Sequence, residues 1–356
     1  MSKPAIRLGV IGISLRNMAS TLTLLPGEPG LRYVITASCA LGAAEVEACA
    51  RAFGIPFWTD DYRALVRRQD VDVVCVFSPD HLHAEHCTAA LQQGKHVVCT
   101  KPMVTRLEDA RQLVALVRER KVKLLVGQTM RFDRQFLAAK KLFDEGGLGT
   151  PIALESAYVH DMRPVYESTP WRRTVPQDLM FGGCVHCIDV LRAFGGEIES
   201  VHGFANQGGL TEGYPIQDNF FLNIRFASGA IGRVSGLYGI VHPPLPMMQF
   251  GIFGTRGSLQ AEFTDNQPGQ IRVTRDGVPM PGPEMMRFEP ERDLSAYGHG
   301  AAVIRYMRHF QECLDTGIEP SPGVIDGAKS VAVGVAAWES IRTGLVAHPA
   351  DVGGAS

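Results

Sequence analysis

The sequence lacks a charge imbalance, and it lacks any long apolar run. Among its 356 residues, 35 are Lys or Arg and 37 are Asp or Glu, which gives a formal net charge of -2 at pH 7. With charges so evenly balanced, we expect no electrostatic attraction to nucleic acid or to an anionic membrane surface. No apolar stretch approaches the roughly 20 residues that span a bilayer, and Ser14 and Arg16 interrupt the apolar run that a signal peptide would need. We therefore expect a cytoplasmic protein whose partners are small neutral molecules, with no nucleic acid and no membrane among them.

A disulfide framework and a metal-binding motif are also missing. Most of the eight cysteines lie in apolar runs such as "VDVVCVFSP", where free Cys behaves as a small buried hydrophobe. Cys184 and Cys187 form a lone C-x-x-C without the second pair that a zinc site requires. His160 with Asp161, and His299 in "YGHG", have no fixed ligand spacing. The sequence predicts no metal site and favours sugar-hydroxyl recognition for these polar residues.

The first part of the chain has the pattern of a parallel sheet. From Ile6 to Gly127, short apolar strands alternate with amphipathic helices. Strands such as "VDVVCVFSP" are apolar on both faces, which is typical of a parallel sheet covered by helices on both sides. We predict a Rossmann-like doubly wound parallel sheet for residues 1–127. Ligands of such a sheet bind at the carboxyl ends of its strands.

After Arg131 the pattern changes to longer strands with few helices between them. Asp-Gly, Ser-Gly and Arg-Gly turns separate several of these strands, as in antiparallel hairpins. Two helical stretches then close the chain. We predict a C-terminal α+β domain with a large, mostly antiparallel open sheet for residues 128–356. The protein as a whole would be an α/β protein of two domains, which its length favours.

The stretch "GVIGISLRNM", from Gly9 to Met18, has the position of a glycine-rich phosphate-binding turn but only part of its glycines. In G-x-G-x-x-G the glycines serve the tight turn, the close approach to the pyrophosphate and helix packing. Here Gly12, Ser14 and Asn17 occupy the three positions. Ser14 puts a Cβ where the backbone approaches phosphate, although helix-terminal amides and the Ser14 hydroxyl remain available as donors. The dinucleotide signal is weakened but not absent.

The acidic residue that usually holds the adenosine ribose is missing as well. NAD enzymes carry Asp or Glu at the end of the second strand, and NADP enzymes an Arg nearby. No carboxylate occurs between Leu31 and Ala44, Ala40 stands where the acid is expected, and Arg32 lies at the wrong end of the strand. NAD, NADP and the absence of any nucleotide all stay open at this point.

Several stretches in order resemble the Gfo/Idh/MocA family, named for glucose-fructose oxidoreductase and inositol dehydrogenase. The stretch "VDVVCVFSPDHLHAEHCTAALQQGKHVVCTKPM" is similar to the family's strand, P-N-x-x-H turn, helix and E-K-P strand end. "TPWRR" and "GGCVHCIDVLRAFGG" resemble its W-R and G-x-H-x-x-D segments. "DNFFLNIRFASGAIGRVSG", "FGIFGTRGSL" and "AVGVAAWESIRTG" resemble its second-domain sheet and last helix. The resemblance covers nearly the whole chain and implies an NAD(P)-linked sugar or cyclitol oxidoreductase.

The resemblance implies two catalytic residues. Lys101 of "TKP" matches the family's lysine beside the nicotinamide, and His186 matches its acid/base histidine. Oxidation of a hydroxyl needs a base for the O–H proton while hydride leaves the same carbon. An imidazole suits that task, and a nearby ammonium polarises the developing alkoxide.

The motifs and the resemblance also give binding candidates. The candidates for cofactor binding are Gly12, Ile13, Ser14, Leu15, Arg16, Asn17, Ser78, Pro79, His83, Lys101 and Gln128. The candidates for substrate binding are Arg131, Tyr158, His160, Arg163, Trp171, Arg172 and His299.

Two departures from the family pattern touch the expected active site. Thr100 replaces the glutamate of E-K-P, and Gly182 replaces a frequent aspartate four residues before His186. Asp161 is a candidate, from its position alone, to supply the missing carboxylate. Asp189 lies on the same helical face as His186, where it either orients the histidine or serves as a cap or structural hydrogen-bond partner.

The expected activity is hydride transfer between NAD(P) and a hydroxyl of a sugar, glycoside or cyclitol. The replacements at Ser14, Asn17, Ala40 and Thr100 keep two alternatives open. One is a non-redox sugar enzyme that cleaves or eliminates a glycoside, and the other is a cofactor-free sugar-binding protein. The family resemblance also implies a homodimer or homotetramer. The alternation of apolar and polar residues in "NFFLNIRFASG" is compatible with this, because it permits one exposed sheet face to form an interface.

Overall fold

The computed structural model describes residues 3–15, 17–169, 171–175, 177–263, 268–277, 284–289 and 300–353. The chain forms two compact units. Unit 1 comprises Met1–Phe132, Arg292–Ala328 and Val352–Ser356, and unit 2 comprises Asp133–Glu291 and Lys329–Asp351. The single boundary that the sequence suggested, between residues 127 and 128, stays a prediction.

Unit 1 is built on a six-stranded sheet in the order β3-β2-β1-β4-β5-β6, with parallel pairing throughout. Its strands are β1 (Ile6–Ile11), β2 (Tyr33–Cys39), β3 (Phe57–Thr59), β4 (Val73–Val76), β5 (His96–Thr100) and β6 (Leu124–Gly127). Its helices are α1 (Ala43–Phe53), α2 (Tyr62–Val66), α3 (His83–Gln92) and α4 (Leu107–Arg120), with 3₁₀ helices at Met18–Gly27, Asp80–Leu82 and Thr129–Phe132. The apolar run of β4 is completely buried, as a strand covered on both faces requires. The predicted doubly wound parallel sheet is confirmed.

The segment after β1 is a 3₁₀ helix and not the α-helix that usually follows such a turn. The Ser20 hydroxyl donates to the Asn17 carbonyl at 2.7 Å, and the Thr23 hydroxyl donates to the Ser20 carbonyl at 2.7 Å. Such side-chain bonds compete with the α-helical ladder, and Pro26 near the end of the segment lacks an N–H. The amides that follow the turn therefore belong to a tighter helix than the sequence analysis assumed.

Helix α9 (Gly300–Thr316) lies far along the chain but belongs to unit 1. It buries Met307 and Phe310 in the same core as Leu8 and Val10 of β1. The hydroxyl of Tyr33 on β2 donates to the Met307 carbonyl at 2.8 Å. Helix α10 (Val324–Thr343) begins in unit 1 and ends in unit 2.

Unit 2 is built on an eight-stranded sheet in the order β14-β13-β12-β11-β7-β10-β9-β8. Its strands are β7 (Pro151–Val159), β8 (Ile198–Asn206), β9 (Asn219–Phe226), β10 (Ile231–Leu237), β11 (Met248–Gly254), β12 (Gly257–Phe263), β13 (Gly269–Arg275) and β14 (Glu284–Phe288). Its further helices are α5 (Arg134–Asp144), α6 (Arg163–Ser168), α7 (Trp171–Thr174), the π-helix Met180–Cys184 and α8 (Val185–Gly195). Strands β7 and β10 pair in parallel, and the other neighbours pair antiparallel. The predicted mostly antiparallel sheet is confirmed.

Within the described residues, no helix combines the length and the apolar character that crossing a membrane requires. All eight cysteines are buried and free.

Burial lowers the pKa of four histidines in unit 1. His83, His96 and His309 have a lowered pKa, and the pKa of His86 falls to about 4. For His86 the largest cause is burial, and the Glu85 carboxylate opposes the shift. A folded-state pKa below that of the unfolded chain means that the unfolded chain takes up protons first as the pH falls.

The melting temperature should therefore fall by several degrees as the pH drops from about 6.5, the ordinary pKa of histidine, to about 4. Carboxylates with lowered pKa, such as that of Asp72 beside Arg7, add to the loss only below about pH 5, so the fall between about pH 6.5 and 5 reports the histidines. Thermal unfolding followed by circular dichroism across this range measures the loss, and His86→Leu should show a shallower slope. A melting temperature that stays constant down to pH 4.5 would contradict the expectation.

Candidate active site

The turn after β1 depends on the one fingerprint glycine that the chain keeps. Gly12 has φ of +87°, a conformation that side chains disfavour. A Cβ at this position would lie 2.5 Å from the Ser78 amide nitrogen and 2.6 Å from the Phe77 carbonyl carbon. Both are backbone atoms, so they cannot rotate away. Gly12 thus brings the turn directly against the chain that leaves β4.

Asn17 holds this turn from within. Its Oδ1 accepts a hydrogen bond from the Ser14 amide at 3.1 Å, and its Nδ2 donates to the Gly12 carbonyl at 2.6 Å. The Asn17 side chain therefore supports the turn rather than standing free for a ligand. Ile13 is buried and Leu15 is exposed. Arg16 lies outside the described residues.

His83 joins the loops that follow β4 and β5. Its Nε2 lies 2.8 Å from the Ser78 carbonyl oxygen, and its Nδ1 lies 2.6 Å from the Pro102 carbonyl oxygen. The imidazole is buried, so its part in cofactor binding would be to hold Ser78–Pro79 and Lys101–Pro102 in register. These two loops meet at the carboxyl ends of neighbouring strands, where ligands of such sheets bind.

Gln128 and Arg131 follow β6 at the same edge of the unit 1 sheet. Gln128 is buried, and its amide donates to the Val126 carbonyl at 2.8 Å. Arg131 lies on the 3₁₀ helix Thr129–Phe132 and approaches Asp326 to 3.6 Å within unit 1. If Arg131 binds substrate, its guanidinium would do so while it is also paired with Asp326.

Two carboxylates near the end of β2 directly follow the neighbouring strand, β3. Cys39, the last residue of β2, pairs with Thr59, the last residue of β3. Asp60 and Asp61 follow at once. Burial raises the pKa of the Cys39 thiol to about 12, and the charges of Asp61 and Asp60 add to the shift. The sequence motif does not reveal these acids, because the usual ribose-binding acid lies at the end of the second strand itself.

Asp61 and Asp60 differ in what they do. Asp61 caps α2, since its Oδ1 accepts from the Arg63 amide at 2.9 Å. Asp60 is exposed, and within the described residues its carboxylate caps no helix. Asp60 is therefore the carboxylate of the two that is available to a ligand at the end of β2.

In unit 2, three aromatic rings that the sequence singled out lie together. The Tyr158 ring, near the end of β7, stacks with that of His160 at 6.1 Å between centroids. It also meets the His186 ring edge to face at 6.1 Å. His186 is buried at the start of α8, directly after the π-helix Met180–Cys184, and buried Asp189 follows it on the same helix. Single π-helical turns often mark functional sites, and no periodicity in the sequence revealed this one.

Asp161 is committed to a salt bridge rather than free to act on a proton. Its carboxylate accepts from Arg163 Nε at 2.9 Å and from Nη2 at 2.5 Å. The His242 ring approaches it to 3.3 Å. The Arg163 side chain is the first cause that holds the pKa of Asp161 well below its usual range. The Asp161 carboxylate is therefore ionised at neutral pH and acts as an anchor for Arg163.

Across the ranges that the structure describes, no group of three or more His, Cys, Asp or Glu side chains is arranged to hold a metal ion. His299 lies outside the described residues. The backbone of Trp171 belongs to α7, but its side chain lies outside the described part of the chain.

Both units match one protein family. Residues 6–128 match its model described as oxidoreductase family, NAD-binding Rossmann fold. Residues 140–348 match its model described as oxidoreductase family, C-terminal alpha/beta domain. The chain belongs to the Gfo/Idh/MocA oxidoreductase family. The resemblance inferred from the motifs is confirmed.

Named members of the Gfo/Idh/MocA family align over most of the chain. The scyllo-inositol 2-dehydrogenase (NAD(+)) of Bacillus subtilis (strain 168) is 27% identical over 344 residues, covering 96% of this chain and 95% of its own. The levoglucosan dehydrogenase of Pseudarthrobacter phenanthrenivorans is 25% identical over 349 residues, covering 88% of each chain. A solved structure of levoglucosan dehydrogenase in complex with NADH and levoglucosan superimposes with a TM-score of 0.85 at 23% identity, covering 98% of this chain and 100% of that one. The structural likeness shows the shared fold.

The place of the family's aspartate at Gly182 is taken by a neighbouring side chain. A Cβ on Gly182 would lie 2.7 Å from the Gln177 carboxamide carbon. Gln177 is buried, and its Oε1 accepts a hydrogen bond from Arg172 Nη1. No motif in the sequence singled out Gln177, whose side chain packs against Gly182 inside the π-helix. An amide thus adjoins the position at which the resemblance leads us to expect an aspartate.

Proposed function

We propose that this oxidoreductase transfers hydride between a nicotinamide cofactor and a hydroxyl of a sugar, glycoside or cyclitol. The observation that carries the proposal is the match of residues 6–128 and 140–348 to the two family models. The sequence motifs support it, because by resemblance Lys101 and His186 match the family's lysine and histidine. The relatives named above act on levoglucosan and scyllo-inositol by their names. A small neutral polyol also suits a chain with almost no net charge.

The residues of unit 1 fit a dinucleotide. Gly12 lets the turn pack directly against the chain that leaves β4, and the buried Ser78 lies beside it. The cofactor candidates Gly12–Asn17, Ser78, Pro79, Lys101 and Gln128 would hold it. When bound, the nicotinamide supplies the hydride acceptor or donor.

The chain's own residues would handle the proton. We assign to His186 the uptake of the hydroxyl proton at its imidazole, and its return in the reverse direction. Lys101 would stabilise negative charge that develops on the substrate oxygen. The Tyr158 ring packs on both His186 and His160. This supports the assignment of Tyr158 and His160 to the substrate side, with Arg163 held by Asp161. Asp189 would orient the imidazole from the same helix.

The proposal is tested by binding followed by turnover. Calorimetry should give micromolar or tighter NADH binding, about -8 kcal/mol or better. Absorbance of NADH should then rise when NAD⁺ is offered with levoglucosan, scyllo-inositol or another polyol. Cleavage of a glycoside with no net NADH would favour the non-redox alternative. No nucleotide binding, and none released on denaturation, would favour the cofactor-free alternative. No observation in the structure favours either of these.

We further propose that Asp60 replaces the missing ribose-binding acid and gives a preference for NAD over NADP. The pairing of Cys39 with Thr59 supports this, because it sets Asp60 beside the position of Ala40. Asp60→Ala should weaken NAD⁺ binding about five- to tenfold through the lost charged hydrogen bond. It should not weaken NADP⁺ binding, since the carboxylate repels a 2′-phosphate. Titration with both nucleotides measures the ratio.

A matched control for Asp60→Ala is Glu108→Ala, which removes an exposed carboxylate elsewhere in unit 1. An NAD⁺ to NADP⁺ affinity ratio that is equal in Asp60→Ala and the unaltered protein would refute the assignment of Asp60.

The open face of the unit 2 sheet supports a homodimer or homotetramer. Phe204 and Phe221 are paired on β8 and β9, and Ile231 and Phe253 are exposed on β10 and β11. Four large exposed apolar side chains on one sheet suit an interface. Phe221→Arg should therefore lower the molar mass measured by light scattering to that of a monomer. An unchanged mass would contradict the use of this face.

The buried free cysteines suit a reducing compartment such as the cytoplasm.

A further inference from the structure

Ser78 faces a histidine nitrogen at two of its atoms, and its backbone lies against the turn after β1. Its carbonyl oxygen faces His83 Nε2 at 2.8 Å, and its hydroxyl faces His86 Nδ1 at 2.8 Å. Its amide nitrogen lies where a Cβ on Gly12 would come to 2.5 Å. Ser78 therefore lies beside the turn, and the direction of its hydroxyl is set by a second histidine that no sequence motif had singled out.

His86 is itself fixed from the side of α2. Its ring packs on Tyr62 with 4.5 Å between centroids. The Tyr62 hydroxyl donates to the carboxylate of Glu85, and Arg63 Nη2 donates to the same carboxylate at 2.8 Å. The imidazole is buried. This arrangement leaves the ring little freedom to turn away from Ser78.

The hydrogen bond orders the Ser78 hydroxyl in either tautomer of a neutral imidazole. With the proton on Nδ1, His86 donates to Ser78 Oγ and leaves the serine O–H to donate to another group. With the proton on Nε2, the serine donates to Nδ1 and its oxygen accepts from another group. The low pKa of His86 keeps the ring neutral at physiological pH. One rotamer of Ser78 is favoured in both cases.

We propose that His86 is a positioning residue for cofactor binding, which holds the Ser78 hydroxyl in its binding rotamer before the dinucleotide arrives. The proposal rests on the proposed function. A group that is ordered in advance loses less conformational entropy when the ligand binds. In this chain, two of the three fingerprint glycines are replaced. Fixed polar groups beside the turn must therefore contribute more of the binding free energy, and their ordering matters more.

A double-mutant cycle on the full-length protein tests this role with NADH as the probe. Ser78→Ala should weaken NADH binding about tenfold, the loss expected for one hydrogen bond to a charged or polar ligand. His86→Leu should weaken it by a similar factor. The double variant should be no weaker than Ser78→Ala alone, because His86 acts only through that hydroxyl.

Two further variants separate positioning from packing. His86→Asn places an amide atom where Nδ1 was and should restore most of the NADH affinity, whereas His86→Gln reaches beyond that point and should not. His96→Leu is the matched control, since His96 is a part-buried histidine of unit 1 that accepts from the Lys123 amide at 2.9 Å, away from Ser78. It should lower the melting temperature without changing NADH affinity.

Several results would overturn the role of His86 while leaving the proposed function intact. These are losses at positions 78 and 86 that multiply in the double variant, an unchanged affinity in His86→Leu or Ser78→Ala, and equal affinities in His86→Asn and His86→Gln. If His86→Leu does not fold, the Asn and Gln pair still decides the matter. An unaltered protein that binds neither NADH nor NADPH would overturn the proposed function and, with it, this inference.

Discussion

Replacing His186 with Asn should lower kcat by about 10²- to 10⁴-fold, the range that a positioned general acid/base contributes. NADH affinity should change little, because the NAD-binding match lies in residues 6–128 and His186 lies in unit 2. Asparagine keeps a polar group beside Tyr158 but cannot take up the hydroxyl proton. Initial rates of NADH formation give kcat, and a fluorescence titration gives the NADH affinity.

His348→Asn is the control for this substitution, since His348 is an exposed histidine of unit 2 that bonds the Glu199 carbonyl. It should retain full activity. Full activity in His186→Asn, or in Lys101→Ala, would show that the proton and charge roles assigned to these residues are wrong.

Gly12→Ala should destabilise unit 1 by about 2 to 5 kcal/mol and weaken NADH binding at least tenfold. The positive φ costs about 1 to 3 kcal/mol for a non-glycine residue, and overpacking against fixed atoms costs a similar amount. The added Cβ would meet the Ser78 amide nitrogen at 2.5 Å, so the turn must move away from the loop after β4. Urea unfolding gives the stability, and calorimetry gives the affinity.

Gly94→Ala separates the two causes. Gly94 also has a positive φ, of +69°, but an added Cβ there meets nothing within 4 Å. This variant should show the backbone strain alone and should bind NADH normally. Equal losses of stability in Gly12→Ala and Gly94→Ala would mean that the close approach between the turn and Ser78 does not matter.

Local sequence patterns were sufficient to predict both sheets and to tell the parallel one from the mostly antiparallel one. The apolar run of β4 predicted a strand buried on both faces, and the alternation in β9 predicted a sheet with one buried face. Both patterns report burial directly, because a side chain's face follows from its position in the strand. The order of the motifs was likewise sufficient to identify the family, and the roles of Lys101 and His186 stay predictions from it.

Helix type was not determined by such patterns. The 3₁₀ helix after β1 depends on hydroxyl bonds from Ser20 and Thr23 to the backbone, and the π-helix before α8 has no periodicity of its own in so few residues. The membership of α9 in unit 1 was also hidden, since an amphipathic helix shows that it has a buried face but not which sheet it covers.

The sequence by itself determined the two sheet classes, the family and the residue types available for proton and hydride chemistry. Only the tertiary structure decided how those residues are used. It set Asn17 inside the turn, paired Asp161 with Arg163, brought Asp60 beside the end of β2 and joined His86 to Ser78. The physical reason is that these contacts depend on strand register, loop course and helix type, which arise from the packing of the whole unit.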